Sequence, residues 1–120
     1  MLDLKTNIIT ALNADATLTA LLGGQRFYWQ TVPDSLATQF PRITFFEVSN
    51  RPADYGDNAE QGSEIQFQFD IWAKAADPTA IAQQLDICLK AAGWWRLMAT
   101  DMYEDDTRIY HKATRYVILK

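Results

Sequence analysis

Histidine and cysteine, the side chains that most often serve as base and nucleophile in catalysis, each occur once in this sequence, as His111 and Cys88. His111 falls within the last predicted strand, and its catalytic role there would be that of a general base. Cys88 falls on the apolar stripe of a predicted helix and would need that histidine beside it to be a nucleophile. A surface histidine on a strand and a small core cysteine explain both residues more simply. We therefore expect no catalytic site and no enzyme.

Four carboxylates near the C-terminus, Asp101, Glu104, Asp105 and Asp106, raise the question of a hard cation, which oxygen ligands bind. The run lacks the glycine and the spaced ligands of a calcium loop, and a charged hairpin turn accounts for it more simply. The sequence also lacks a phosphate-binding glycine loop, a CxxC pair and an HExxH helix. We expect neither a metal nor a cofactor.

Length and composition favour one globular domain, 1–120, because the chain has 120 residues, 48% hydrophobic and 22% charged. The net charge of −4 disfavours specific binding to nucleic acid, and so a regulator that binds DNA. Arg108, Lys112 and Arg115 form either a local basic patch or a solvated strand face, and the second interpretation is favoured.

One cysteine allows no intramolecular disulfide, which is consistent with a protein made in the cytoplasm. No apolar run approaches the ~20 residues of a membrane span, so we expect no membrane partner.

The elements that must position these residues follow from periodicity and capping signals. Apolar spacing predicts helices over 3–13, 16–22 and 78–92, with Leu18, Leu21 and Leu22 of the second facing the core. The stripe of the third helix includes Ala92, and its opposite face, with Asp86, is expected to be solvent surface. Strands are predicted over 26–30, 42–50, 64–73, 96–103 and 107–119. This order predicts an α+β fold of two layers: an antiparallel or mixed sheet of about five strands with helices on one face.

The strand 64–73 alternates cleanly, which predicts one core face and one polar face. Its core face would carry Ile71 and its apolar neighbours. Its other face would carry Gln66, Gln68, Asp70 and Trp72. A tryptophan on a polar face needs a cover, and interface centres are rich in aromatic residues. The alternatives are a cover within the same subunit and a contact with another subunit. The adjacent Trp94 and Trp95 pose the same question, since only one of them can enter the core.

A polar segment of 13 residues, 51–63, separates the two strands that are clearest in the sequence. Connections within compact domains are usually about 4 to 6 residues long, and longer ones are often functional. Its charged residues are Arg51, Asp54, Asp57 and Glu60, and its one aromatic residue is Tyr55. A long acidic loop held by a rigid sheet indicates an interaction surface rather than a site of chemistry.

Several features follow one another in a characteristic order: a leucine-rich helix end at 18–24, an aromatic strand at 26–28, a proline-led strand at 40–45, a strand at 67–72, and a closing helix and strand pair. This order resembles the tail completion, or tail terminator, proteins of long-tailed bacteriophages and prophages. The resemblance extends over nearly the whole chain.

The resemblance implies a structural virion protein that is assembled in the bacterial host and located in the tail. Its copies would form a ring, commonly of six, that caps the tail tube and joins it to the head connector, and DNA would pass through that ring without specific binding. Such a ring needs two unlike surfaces on each subunit. The candidate interface residues are Arg51, Asp54, Tyr55, Asp57, Glu60, Gln66, Gln68, Asp70 and Trp72. The alternative is a small enzyme or ligand-binding protein with a pocket between the helix 78–92 and the sheet, reached by His111 or the acidic turn.

Overall fold

The computed structural model describes residues 1–53 and 62–120. In this part of the chain three α-helices and a short 3-10 helix, Asp34–Leu36, accompany five strands. The helices are α1 (Lys5–Ala14), α2 (Ala16–Leu22) and α3 (Thr79–Ala91). The strands are β1 (Phe27–Trp29), β2 (Arg42–Ala53), β3 (Gly62–Lys74), β4 (Trp95–Glu104) and β5 (Ile109–Leu119). In these residues no helix is long and apolar enough to cross a membrane.

The five strands form one mixed sheet in the order β1-β2-β3-β5-β4. β1 is parallel to β2, and every other neighbouring pair is antiparallel. The helices pack on one face of this sheet, and they bury the apolar side of β2, β3 and β5. The predicted α+β fold of two layers, with helices on one face, is confirmed.

The two N-terminal helices bend at Asp15, whose carboxylate accepts a hydrogen bond of 2.9 Å from the Leu18 backbone N–H. This bond caps the N-terminus of α2, as the sequence predicts. Gly23 ends α2 with φ of +81°, in the left-handed region that glycine occupies without a steric penalty. Leu18 and Leu22 are fully buried, but Leu21 is 41% exposed, so its predicted place in the core is wrong. In a helix of seven residues, Leu21 lies outside the narrow arc that faces the sheet.

The third helix begins where Asp77 accepts a hydrogen bond of 2.9 Å from the Thr79 backbone N–H. Its stripe of Ile81, Leu85 and Leu89 is buried against the sheet. Ala92, which the stripe was expected to include, is exposed because the helix ends at Ala91.

An aromatic cluster forms the centre of the core. Phe45, Phe67 and Phe69 lie on adjacent strands, and the ring centroids of Phe45 and Phe69 are 5.8 Å apart. Trp94 closes the cluster, with its ring nearly perpendicular to that of Phe67 and the two ring centroids 5.6 Å apart. All four side chains are buried, so burial of this cluster is a main source of the free energy of folding.

The long polar segment predicted over 51–63 is shorter than expected at both ends. Arg51 pairs with Glu64 and Pro52 pairs with Ser63, which extends β2 and β3 beyond the predicted strands. Proline is tolerated here because β2 has no further strand beside it at this level in the part of the chain that the structure describes. The predicted interface residues Asp54, Tyr55, Asp57 and Glu60 lie outside the described residues.

Candidate assembly surface

The face of the sheet opposite the helices carries the four β3 side chains that alternation predicts there. Gln66, Gln68 and Trp72 are half-buried on this face, and Asp70 is only 6% exposed. We call it the helix-free face. Because no helix covers it in the described ranges, its side chains are buried by each other rather than by a second layer.

A chain of hydrogen bonds holds the polar groups of the helix-free face in place. Arg115 Nη2 donates to Gln68 Oε1 at 3.0 Å, and Gln68 Nε2 donates to Asp70 Oδ1, also at 3.0 Å. His111 Nε2 lies 2.8 Å from the same oxygen of Asp70. These residues come from β3 and β5, which are paired antiparallel, so the sheet backbone fixes their spacing. A surface whose side chains are already ordered loses less conformational entropy when a partner binds.

Trp72 is covered within the chain by a side chain of the neighbouring strand. Its ring stacks on the imidazole of His111 with centroids 3.8 Å apart and planes 13° apart. Its indole N–H donates to Thr44 Oγ1 at 3.0 Å. The tryptophan is therefore oriented by contacts at both ends, and its remaining exposed surface is a rigid aromatic patch.

Arg51 extends this face toward the end of the β2–β3 hairpin. Its Nη2 lies 2.9 Å and 3.0 Å from the two carboxylate oxygens of Glu64. The hydrogen bond from Arg51 lowers the pKa of Glu64 below its ordinary value, so the carboxylate stays ionised at neutral pH. The Arg51 side chain is 68% exposed, and screening by solvent makes the pair weak. Of the predicted interface residues, the structure thus brings Arg51, Gln66, Gln68, Asp70 and Trp72 onto one face.

His111 and Cys88 do not form a catalytic pair, because they lie on opposite sides of the sheet. Cys88 is buried in α3 and donates from Sγ to the Ala11 carbonyl at 3.4 Å, which confirms that it is a core residue. Burial raises the pKa of its thiol to about 11, so it is protonated at neutral pH. The expectation for His111 was wrong in one respect. Its side chain is 19% exposed and is bound to Asp70, rather than free on the surface.

Two hollows test the alternative of a pocket beside α3. One, of about 450 Å³, lies between α3 and the β4–β5 pair, with Asp86, Arg96 and Lys112 in its walls. Neither His111 nor the acidic turn lines it. The other, of about 340 Å³, includes His111, but its walls are mainly exposed side chains such as Tyr103. Neither hollow brings a nucleophile and a base together.

The charged residues near the C-terminus separate onto different faces. Lys112 lies on the helix side, where its Nζ is 2.7 Å from Asp101 Oδ1, whereas Arg115 lies on the helix-free face. Arg108 adopts φ of +58° between β4 and β5. In the described ranges, no three histidine, cysteine or acidic side chains cluster as a metal site would require.

The sequence matches the family model described as tail completion protein gp17 over residues 6–119. The chain belongs to this tail completion family. It is therefore a structural protein of phage tail assembly, located in the tail of the virion, and its family is one of structural proteins rather than enzymes.

Among solved structures, one chain of the virion of a native gene transfer agent particle shares the fold. The TM-score is 0.64 at 20% sequence identity, and the match covers 93% of this chain and 90% of that chain. No curated protein is significantly similar in sequence.

Two features of the structure do not follow from the sequence pattern. The first is Asp86 of α3, which was expected to be plain solvent surface. Its side chain is 17% exposed, accepts a hydrogen bond of 2.6 Å from the Tyr116 hydroxyl, and forms ion pairs with Lys90 at 2.7 Å and Arg96 at 3.5 Å. Desolvation alone would raise the pKa of Asp86, but the hydrogen bonds and positive charges outweigh it, and the net pKa is lowered.

The second feature is the exposure of β4. All ten of its residues are exposed, and they include large apolar side chains: Trp95 (47%), Leu97 (49%), Met98 (37%), Met102 (47%) and Tyr103 (50%). In the described residues, the helical layer leaves β4 exposed and no second layer covers the helix-free face. A pattern of residues cannot show this, since an apolar strand in a sequence is normally read as buried.

Proposed function

We propose that this tail completion family member assembles into a ring of six copies that closes the tail tube and joins it to the head connector. The observation that carries the proposal is the helix-free face, a large ordered surface on which Trp72 and its hydrogen-bonded neighbours are fixed before any partner arrives. A virion protein that must bind at the end of a tube needs such a preformed surface.

The interface in this proposal includes the predicted residues of both regions. Gln66, Gln68, Asp70 and Trp72 contact the neighbouring subunit. Arg51, Asp54, Tyr55, Asp57 and Glu60 contact the tube, the connector or the channel. The net charge of −4 supports a channel through which DNA passes without specific binding. In this proposal the protein has no catalytic role, uses no cofactor and assembles in the host cytoplasm.

Negative-stain microscopy of the purified protein, alone and mixed with tail tubes, tests this function. The expected result is a ring of uniform diameter, or a cap on the tube end. Replacing Trp72 with alanine should leave a folded protein that forms at least tenfold fewer rings or caps, because it removes an aromatic anchor from the interface.

Lys74→Ala is the matched control, since Lys74 is exposed near the end of the same strand. It should assemble as the unaltered protein does. A protein that stays monomeric at high concentration and also ignores tail tubes would contradict the proposal.

A further inference from the structure

The outer edge of β4 offers backbone groups that no strand in the described residues satisfies. Ser63 and Lys120 exchange both backbone hydrogen bonds, at 2.6 Å and 2.9 Å. Since successive residues of a strand direct their N–H and C=O groups to opposite neighbours, this pair shows which residues of β5 bond to which neighbouring strand. Its even-numbered residues bond to β3, and its odd-numbered residues bond to β4. The β4 residues opposite even-numbered partners, which include Arg96, Ala99 and Asp101, therefore direct their N–H and C=O groups outward.

The opposite edge of the sheet has an open stretch of the same kind. β1 pairs with only three residues of β2, Ile43 to Phe45, so β2 has no outer neighbour from Phe46 onward in the described residues. The Ile43 N–H points away from β3 and donates to the Arg26 carbonyl at 2.9 Å, which shows which residues of β2 direct their backbone groups outward. The next residues that direct their backbone groups outward are Glu47 and Asn50, and Pro52, which has no N–H, follows them.

The two open edges are complementary in direction. β2 and β4 run antiparallel to each other across the sheet, because three antiparallel pairings separate them. When a second copy is placed beside the first in the same orientation, β4 of one copy is therefore antiparallel to β2 of the next.

The edges are also complementary in face. Residues directly opposite each other in a sheet project to the same side. The side chains of the outward-directed residues on both edges project to the helix side. Ala99 lies opposite Thr114, which lies opposite the core residue Phe69, and Glu47 lies opposite the core residue Phe67. Pairing them keeps both helical layers on one side of a continuous sheet.

We propose that β4 of one copy adds as an antiparallel strand to the open edge of β2, residues 46–53, in the next copy. This inference rests on the proposed ring, and it adds a backbone contact between neighbouring copies to the side-chain contacts proposed for the helix-free face. A strand of ten residues spans about 34 Å, and unpaired strands of this length readily accept another chain.

Pairing also buries the apolar side chains that β4 exposes, such as Met98 and Met102. Because β1 already pairs with the first residues of β2, the β4 strand of the neighbouring copy must pair farther along β2, toward Ala53. A shift of this kind tilts the strands, as closed sheets require.

Replacing Ala99 with proline tests the backbone part of this contact. The change removes an outward N–H and leaves the bonds between β4 and β5 intact, so the melting temperature should change by only a few degrees. Assembly, measured by sedimentation velocity with or without tail tubes, should weaken at least tenfold.

Ala99→Val is the matched comparison, because it keeps the N–H, and it should assemble at least tenfold more readily than Ala99→Pro. Rings or caps that survive Ala99→Pro would overturn this inference alone, whereas an unaltered protein that forms neither rings nor caps on tail tubes overturns the proposed function with it.

Cross-linking identifies the partner strand independently of any folding defect. Met98 and Ser49 both project to the helix-free side at the two edges, so a short bismaleimide should link the Met98→Cys, Ser49→Cys double variant into a ladder of several copies. The unaltered protein, which carries only the buried Cys88, measures the background level of cross-linking. A product that stops at two copies, formed by Met98→Cys alone, would mean that β4 pairs with β4, and it would overturn the proposal. A double variant that assembles but forms no ladder would overturn it as well.

Discussion

Asp70 and Ile71 are consecutive residues that face opposite sides of the same sheet, and both are nearly inaccessible to solvent. Ile71 is fully buried beneath the helices among other apolar side chains. Asp70 is 6% exposed on the side without helices, where Gln68 and His111 surround its carboxylate. One face of the sheet is dry because a second layer covers it, and the other is occluded by its own hydrogen-bonded side chains.

The comparison shows that burial has two purposes in this molecule. On the helix side, burial of aromatic and aliphatic groups provides the free energy of folding. On the helix-free side, hydrogen bonds join the polar side chains to one another, and Trp72 is oriented by His111 and Thr44. Folding as a small domain depends on the first, and the proposed assembly surface depends on the second.

The largest effect is expected when a charge is placed on the dry side. Ile71→Asp buries a carboxylate with no partner, which costs roughly 4 kcal/mol or more and should prevent folding. Soluble yield and circular dichroism melting measure it. Ile71→Val is the control, and it should cost only about 1 kcal/mol. A soluble aspartate variant with a cooperative melt would show that the faces are not as distinct as described.

A smaller loss is expected on the helix-free side. Asp70→Ala removes the shared acceptor of Gln68 and His111, and leaving such groups unpaired costs about 1–3 kcal/mol. Urea unfolding should detect this as a lower midpoint with an unchanged slope.

Glu64→Ala on the same face is the comparison, because solvent screens its pair with Arg51 and the loss of stability should be smaller than in Asp70→Ala. Equal losses in the two variants would mean that the network around Asp70 is no more ordered than an ordinary surface.

The smallest effect concerns Asp86, a polar group at the margin of the helix side. Its pKa is lowered in the folded protein, so its ionised form stabilises the fold at neutral pH, and that contribution disappears as pH falls through its folded pKa. Asp86→Asn should cost about 1 kcal/mol at pH 7. The difference from the unaltered protein should shrink below about pH 4, near the ordinary pKa of aspartate. If the stability difference between the two proteins grew on acidification, the pKa of Asp86 would be raised by folding rather than lowered.

The fold followed from sequence where local signals and burial agree. Alternation in β3 predicted both faces of the strand, and the cap at Asp15 placed the start of α2 at Ala16, where the structure has it. The ends of β2 and β3 were missed because the strands continue through Arg51 and Pro52 by cross-strand pairing. Such pairing depends on the partner strand rather than on the propensity of these residues.

The candidate surface was predicted only in part, for a related reason. The four β3 residues of the helix-free face follow from period-two alternation. Their partners His111 and Arg115 lie more than 40 positions along the chain. Only the register of β3 with β5 brings these side chains beside Asp70 and Gln68. The exposure of β4 depends on how far the helical layer extends, and no local pattern encodes that distance.

The adjacent tryptophans at the start of β4 give the protein two built-in optical reporters. Trp94 is 5% exposed within the aromatic core, whereas Trp95 is 47% exposed on the helix-free side. Intrinsic fluorescence from the first follows unfolding, and emission from the second shifts to shorter wavelength when another chain covers β4. The sequence also contains Trp29 and Trp72, so the emission of each reporter is obtained as the difference between the unaltered protein and its Trp94→Phe or Trp95→Phe variant, recorded through unfolding and through assembly.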